Sequence, residues 1–225
     1  MSRLNPPFET AYIGSVLFTL GFLSGKQPDA KLSNKAVCQL QQKPYDTLLG
    51  ELFTAWQGRN FLIEFKRAQS EVTRELYKPD RRRLLATLAH PEHKAMRELA
   101  SRLHFLGFGA QDDNGQRDLG FIPYALIPEF RSGVCDIMLL NHFCLKLLRS
   151  GKDATLGGTA AELQAYLDFM EDEELIGEAT GFSGFIINIS DSGIKLIDAD
   201  RHGLLAAELD PGLPSPDDDG RDNGR

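Results

Sequence analysis

At 225 residues, 42% hydrophobic and 25% charged, the chain has the proportions of one globular domain with room for a small annex, which excludes fibrous and wholly disordered classes. Three cysteines, Cys38, Cys135 and Cys144, form no CxxC pair and are odd in number, so neither a disulfide framework nor a zinc ribbon is indicated and reduced, buried thiols of a cytoplasmic protein are expected. The net charge of −7 is uneven: residues 1–154 carry 21 Lys and Arg against 16 Asp and Glu, and residues 155–225 carry 4 against 16. A mildly basic body of this kind can meet a polyanion, and the acidic C-terminal third can meet a basic protein partner.

Pro6-Pro7-Phe8-Glu9 opens a helix that runs to about Gly25, because proline suits a first turn, glutamate suits its positive end and glycine stops it. Within it Tyr12 to Leu23 is the most apolar window. It is well short of the roughly 20 residues that span a bilayer, which predicts a buried core helix and no membrane association. Residues 36–42 partly alternate and predict a half-buried strand. Thr47–Trp56 and Asn60–Ala68 are β-rich runs joined by a turn containing Gly58, a hairpin signal.

From Ser70 the pattern becomes helical, with Ser70 as the expected cap, a second helix from Pro79-Asp80 and a third from Pro91. Met96, Leu99, Ala100 and Leu103 mark the apolar face of the third. Gly120–Ile127 reads as a strand in which Pro123 predicts an edge or a bulge. Asp136–Arg149 reads as an apolar helix, and Thr159 with Glu162 forms a capping box for another. Phe185–Ser190 and Ile194–Ala199 predict a second hairpin. The tail from Pro211 has the composition of a disordered segment.

The chemistry sits on the run Asn60–Ala68. Alternation on a strand puts Glu64 and Lys66 on one side and Ile63 and Phe65 on the other. A carboxylate that holds Mg²⁺ beside an ammonium that orients water suits phosphodiester hydrolysis. With Gly58 and Arg59 as turn residues, Glu51 falls opposite Lys66 and Phe53 opposite Glu64, so Glu51, Glu64 and Lys66 converge. His90 and His93 around Pro91, and Asp198, Asp200 and His202 after the second hairpin, are read as a helix start and a polar turn.

Glu64-Phe65-Lys66, placed mid-strand behind a hairpin with a facing acid, resembles the PD-(D/E)XK nuclease superfamily over roughly residues 6–130. The resemblance implies an α/β (α+β) fold with a restriction-endonuclease-like core: helix, three antiparallel strands, helix, strand. It also implies metal-dependent cleavage of nucleic acid, DNA foremost, with Mg²⁺ (or Mn²⁺) as cofactor. Carried over, Glu64 and either Glu51 or Asp46 bind metal, Lys66 positions the nucleophile and Glu9 assists from the first helix. The sequence departs from the pattern in having no literal Pro-Asp; it offers Pro44-Tyr45-Asp46 and Gly50-Glu51. Arg67, Arg81, Arg82 and Arg83 are the expected phosphate contacts. The domain expectation is a core over 1–130, a helical and hairpin annex over 131–210, and an acidic tail over 211–225. The competing expectation is a catalytically inactive nuclease-like adaptor of a bacterial defence or mobile-element system.

Overall fold

The computed structural model describes residues 7–26, 35–41, 52–56, 59–112, 114–175, 183–190 and 193–198; for 35–41, 52–56, 151–153, 183–190 and 193–198 it describes the backbone alone. The helix α1 (Glu9–Gly25) is followed by strands β1 (Lys35–Gln41), β2 (Leu52–Trp56) and β3 (Arg59–Lys66). Helices α2 (Gln69–Val72), α3 (Pro79–Ala89) and α4 (Lys94–Leu103) then lead to β4 (His104–Gln111) and β5 (Arg117–Pro123). The short helix α5 (Ile127–Arg131), strand β6 (Met138–Leu139), helices α6 (Leu140–Asp153) and α7 (Ala160–Asp172), and strands β7 (Ser183–Ser190) and β8 (Gly193–Asp198) complete the chain.

One mixed sheet runs in the order β6-β5-β4-β3-β2-β1-β7-β8. β3 and β4 are its parallel pair, from Leu62 opposite His104 to Lys66 opposite Phe108, and every other described pairing is antiparallel. The crossover between β3 and β4 is made by α2, α3 and α4, as a parallel connection requires. Helices cover both faces of the sheet's centre, so β3 is buried along nearly its whole length and reads as a continuous apolar run. Its odd residues Phe61, Ile63 and Phe65 pack with α1 and α6. Its even residue Leu62 packs with α3, α4 and α7. The fold is mixed α and β with a mixed sheet between helices, as expected.

Several elements depart from expectation. The β2–β3 register pairs Trp56 with Arg59 and Phe53 with Leu62, two residues away from the pairing expected with Gly58-Arg59 as the turn. Arg59 belongs to the strand and Phe53 does not face Glu64. Strand β4 is absent from the expectation altogether: Gly107 and Gly109 dilute its apolar pattern. The space explains Gly107, where an added Cβ would lie 2.9 Å from carbons of the Phe65 ring and 3.0 Å from the Phe121 ring. The strand predicted over 120–127 is β5, which lies inside the sheet between β4 and β6 and ends at Pro123, where a 3₁₀ turn begins. The helix predicted from Asp136 starts at Leu140, because Met138 and Leu139 pair with β5.

α2 starts after Ala68 without a side-chain cap, so Ser70 does not cap it; Glu71 accepts the Arg67 N–H instead, at 3.1 Å. The second hairpin forms, and β7 pairs with β1, so it extends the sheet of the core. The capping box of Thr159 and Glu162 is present in full. The tail from Pro211 lies outside the described residues.

Candidate functional site

Strand alternation decides the site. Leu62, Glu64 and Lys66 point toward α3 and α4, and the Glu64 carboxylate is only 1% exposed. A buried charge of this kind persists only if it is paired. Lys66 is paired with Glu64 Oε1, and Arg81 Nη2 lies 2.8 Å from Glu64 Oε2. Sequence reasoning missed the second acid, Glu75, which is equally buried. Its Oε1 lies 2.7 Å from Lys78 Nζ and 3.7 Å from Lys66 Nζ, and its Oε2 lies 3.4 Å from Arg81 Nε. Two carboxylates thus share Lys66 and Arg81. A signal existed: Glu75, Lys78 and Arg81 recur at three-residue steps across a predicted helical region, the spacing that brings charges together.

Arg81 reaches this position because α3 turns it inward with Leu84, Leu85 and Leu88. It is therefore not the surface phosphate contact expected of it; Arg82 and Arg83 of the same helix are exposed. Arg83 donates from Nη2 to the Glu173 carbonyl at 2.8 Å and so holds the end of α7. Arg67, one residue beyond Lys66, turns to the opposite face of the sheet, beside Tyr12.

Aromatic groups close the cluster. The guanidinium carbon of Arg81 sits 5.3 Å from the Tyr124 ring centre, and the His104 ring stacks on Tyr124 with centres 4.4 Å apart. His104 Nδ1 lies 3.1 Å from the Tyr166 hydroxyl. Burial pushes the Glu64 carboxyl up, but Arg81 and Lys66 together outweigh it and hold the group below its ordinary value. Burial likewise disfavours the charged forms of His104 and Tyr124: the imidazole falls to about 3, helped by Arg81, and the phenol is raised. Near neutral pH the locus is an ionised Glu64–Arg81 pair beside a neutral histidine.

No family model, curated protein or solved structure matches this chain. Function therefore rests on the geometry.

A divalent cation would require free carboxylate oxygens converging within a few ångströms. Both oxygens of Glu64 are already on cations, and no group of three His, Cys, Asp or Glu among the described residues could hold a metal. Asp46 and Glu51 lie outside the described residues. Glu9 sits in the first turn of α1, which packs on the face of β3 that Phe61, Ile63 and Phe65 occupy, so the structure does not bring it to Glu64. His90 and His93 both lie within 3.4 Å of Glu92 on the surface, and Asp198 ends β8 with Asp200 and His202 beyond the described residues. Cys144 is a buried free thiol, pushed up to about 12 by burial, and Cys135 is a partly exposed one. No described helix is long and apolar enough to cross a membrane.

Proposed function

We propose that the chain is a nuclease-like, nucleic-acid-binding domain whose Glu64–Lys66 pair forms an internal ion cluster and does not hold a catalytic metal. The element order supports the kinship: a helix, three antiparallel strands, a helical crossover and a strand parallel to the third, with Glu64 and Lys66 on that third strand. The observation that carries the silent centre is Arg81, whose guanidinium takes the Glu64 oxygen that a metal would need. The exposed Arg82 on α3 supplies positive charge for a phosphate backbone.

The second reading is a Mg²⁺- or Mn²⁺-dependent nuclease, probed most directly through Glu64. What favours it is that Glu64 and Lys66 do converge on one face, in the arrangement that phosphodiester hydrolysis uses. Asp46 and Glu51 would be its remaining metal ligands.

The test is fluorescence anisotropy with single- and double-stranded DNA and RNA, followed by gel assays with Mg²⁺ and with Mn²⁺. Binding that weakens steeply with salt, without cleavage, is the expected result. Cleavage that disappears in Glu64→Ala would overturn the silent centre and establish the metal-dependent nuclease; absence of binding to every probe would overturn the nucleic-acid partner.

A further inference from the structure

An open cleft of about 820 Å³ lies on the other side of the sheet from the ion cluster. Its volume is that of small-ligand sites, which run from roughly 300 to 1,000 Å³. It opens where the parallel strands β3 and β4 end, at Arg67–Ser70 and Gly109–Gln111.

The lining has a charged part and an apolar part. The charged part includes Arg67 and Arg117, and both lie close enough to Tyr12 to act on its hydroxyl electrostatically, as do Glu71 and Glu9 with the opposite sign. The apolar part includes Leu119, Ile137, Leu139 and Leu140, of which Ile137 is 37% exposed. The floor is rigid. Tyr12 donates to the Arg67 carbonyl at 2.8 Å, and a Cβ on Gly109 would come within 2.5 Å of the Tyr12 hydroxyl and 2.8 Å of that carbonyl. Burial, against the pull of both arginines, keeps the phenol protonated and thus a donor. Asp118 is the one acid among the described residues of the lining, and its carboxylate accepts the Leu119 N–H at 2.6 Å.

We infer that this cleft binds a nucleoside monophosphate unit, either free or as the 5′-phosphorylated end of a strand. Arg67 and Arg117 take the phosphate, and the apolar wall around Ile137 takes the base and sugar. Neither part suffices alone. Two arginines without the wall would hold any phosphate, and the wall without the arginines would favour an uncharged body. The inference stands on the cleft itself, on the face opposite Arg81, so its failure would leave the reading of the Glu64–Arg81 centre untouched.

The experiment is calorimetric titration of the full chain with AMP, CMP, GMP and UMP, with adenosine, with inorganic phosphate, and with 5′-phosphorylated and 5′-hydroxyl oligonucleotides of one sequence. At least one monophosphate or the 5′-phosphorylated strand is expected to bind at least about tenfold more tightly than adenosine, phosphate and the 5′-hydroxyl strand, a difference of about 1.4 kcal/mol. Binding by the monophosphates identifies a free ligand, and binding by the phosphorylated strand alone identifies a strand end. Arg117→Ala and Ile137→Asp are each expected to weaken that binding at least about tenfold, with the circular dichroism spectrum unchanged. Absence of that tenfold preference both for every monophosphate and for the 5′-phosphorylated strand, or insensitivity to both substitutions, would overturn the assignment.

Discussion

Arg81 and Glu64 face each other at 2.8 Å with both side chains about 2% exposed, so each is the other's principal compensation for leaving water. The pair links α3 to the central strand, and Glu75 joins it from the turn between α2 and α3. Its energetic consequence is asymmetric. Desolvation is already incurred by both partners, so removing one leaves the other charge stranded.

Arg81→Met is therefore expected to destabilise the fold by about 3–5 kcal/mol, and the double variant Arg81→Met with Glu64→Gln by clearly less than the single one. Urea midpoints of the wild type, both single variants and the double variant measure the coupling. Additive effects would show that the two groups act independently and would remove the ion cluster from the account.

His104 makes stability depend on pH above the carboxylate range. Burial, aided by Arg81, brings its pKa from an ordinary 6.5 to about 3, so between these values the unfolded chain binds a proton that the folded chain does not. A group depressed in this way contributes stability that is fully present above pH 6.5 and falls as the pH drops toward 3, at up to about 1.4 kcal/mol per pH unit. Urea denaturation between pH 5 and 7 should show this slope in the wild type and a flatter one in His104→Gln. An unchanged slope in the variant would assign the effect elsewhere.

The start of α7 gives an acid-side counterpart. Glu162 is held at about 2, first by its hydrogen bond with Arg102, then against burial by its bond to the Thr159 N–H. Its folded value is depressed, so its contribution is present above about pH 4.5 and is lost as the pH falls toward 2. Thr159→Ala is expected to cost about 1 kcal/mol through the lost cap. Glu162→Gln should flatten the acid limb of the stability profile, and thermal melts from pH 2 to 5 check it.

Gly109 is expected to tolerate no side chain. The Cβ of Gly109→Ala would meet the Tyr12 hydroxyl at 2.5 Å and the Arg67 carbonyl at 2.8 Å, and the carbonyl cannot rotate away. A loss of about 1–3 kcal/mol is expected. Tyr12→Phe in the same chain should recover only part of it, because the backbone contact remains; full recovery would place the strain on the hydroxyl alone.

How far the site could be read in advance depended on the range of the interactions. The facing of Glu64 and Lys66 follows from alternation, which needs only the strand, and the capping box of Thr159 and Glu162 closes within four residues. The register of β2 on β3 depends on which residues the turn uses, and a glycine-containing connection allowed more than one choice. β4 escaped because its glycines, which make room for Phe65 and the Tyr12 hydroxyl, erase the apolar alternation that marks a strand.

The sequence by itself determined a mixed α and β chain, the α1 helix, the strand that carries Glu64 and Lys66, and the side of that strand on which they lie. These follow from periodicity and local turn chemistry. Only the tertiary structure decided what Glu64 meets. Arg81 and Glu75 come to it from another layer, and Glu9, on α1, falls on the wrong face of the sheet. A cation that neutralises a buried carboxylate is chosen by packing, and no spacing along the chain encodes the layer from which it comes.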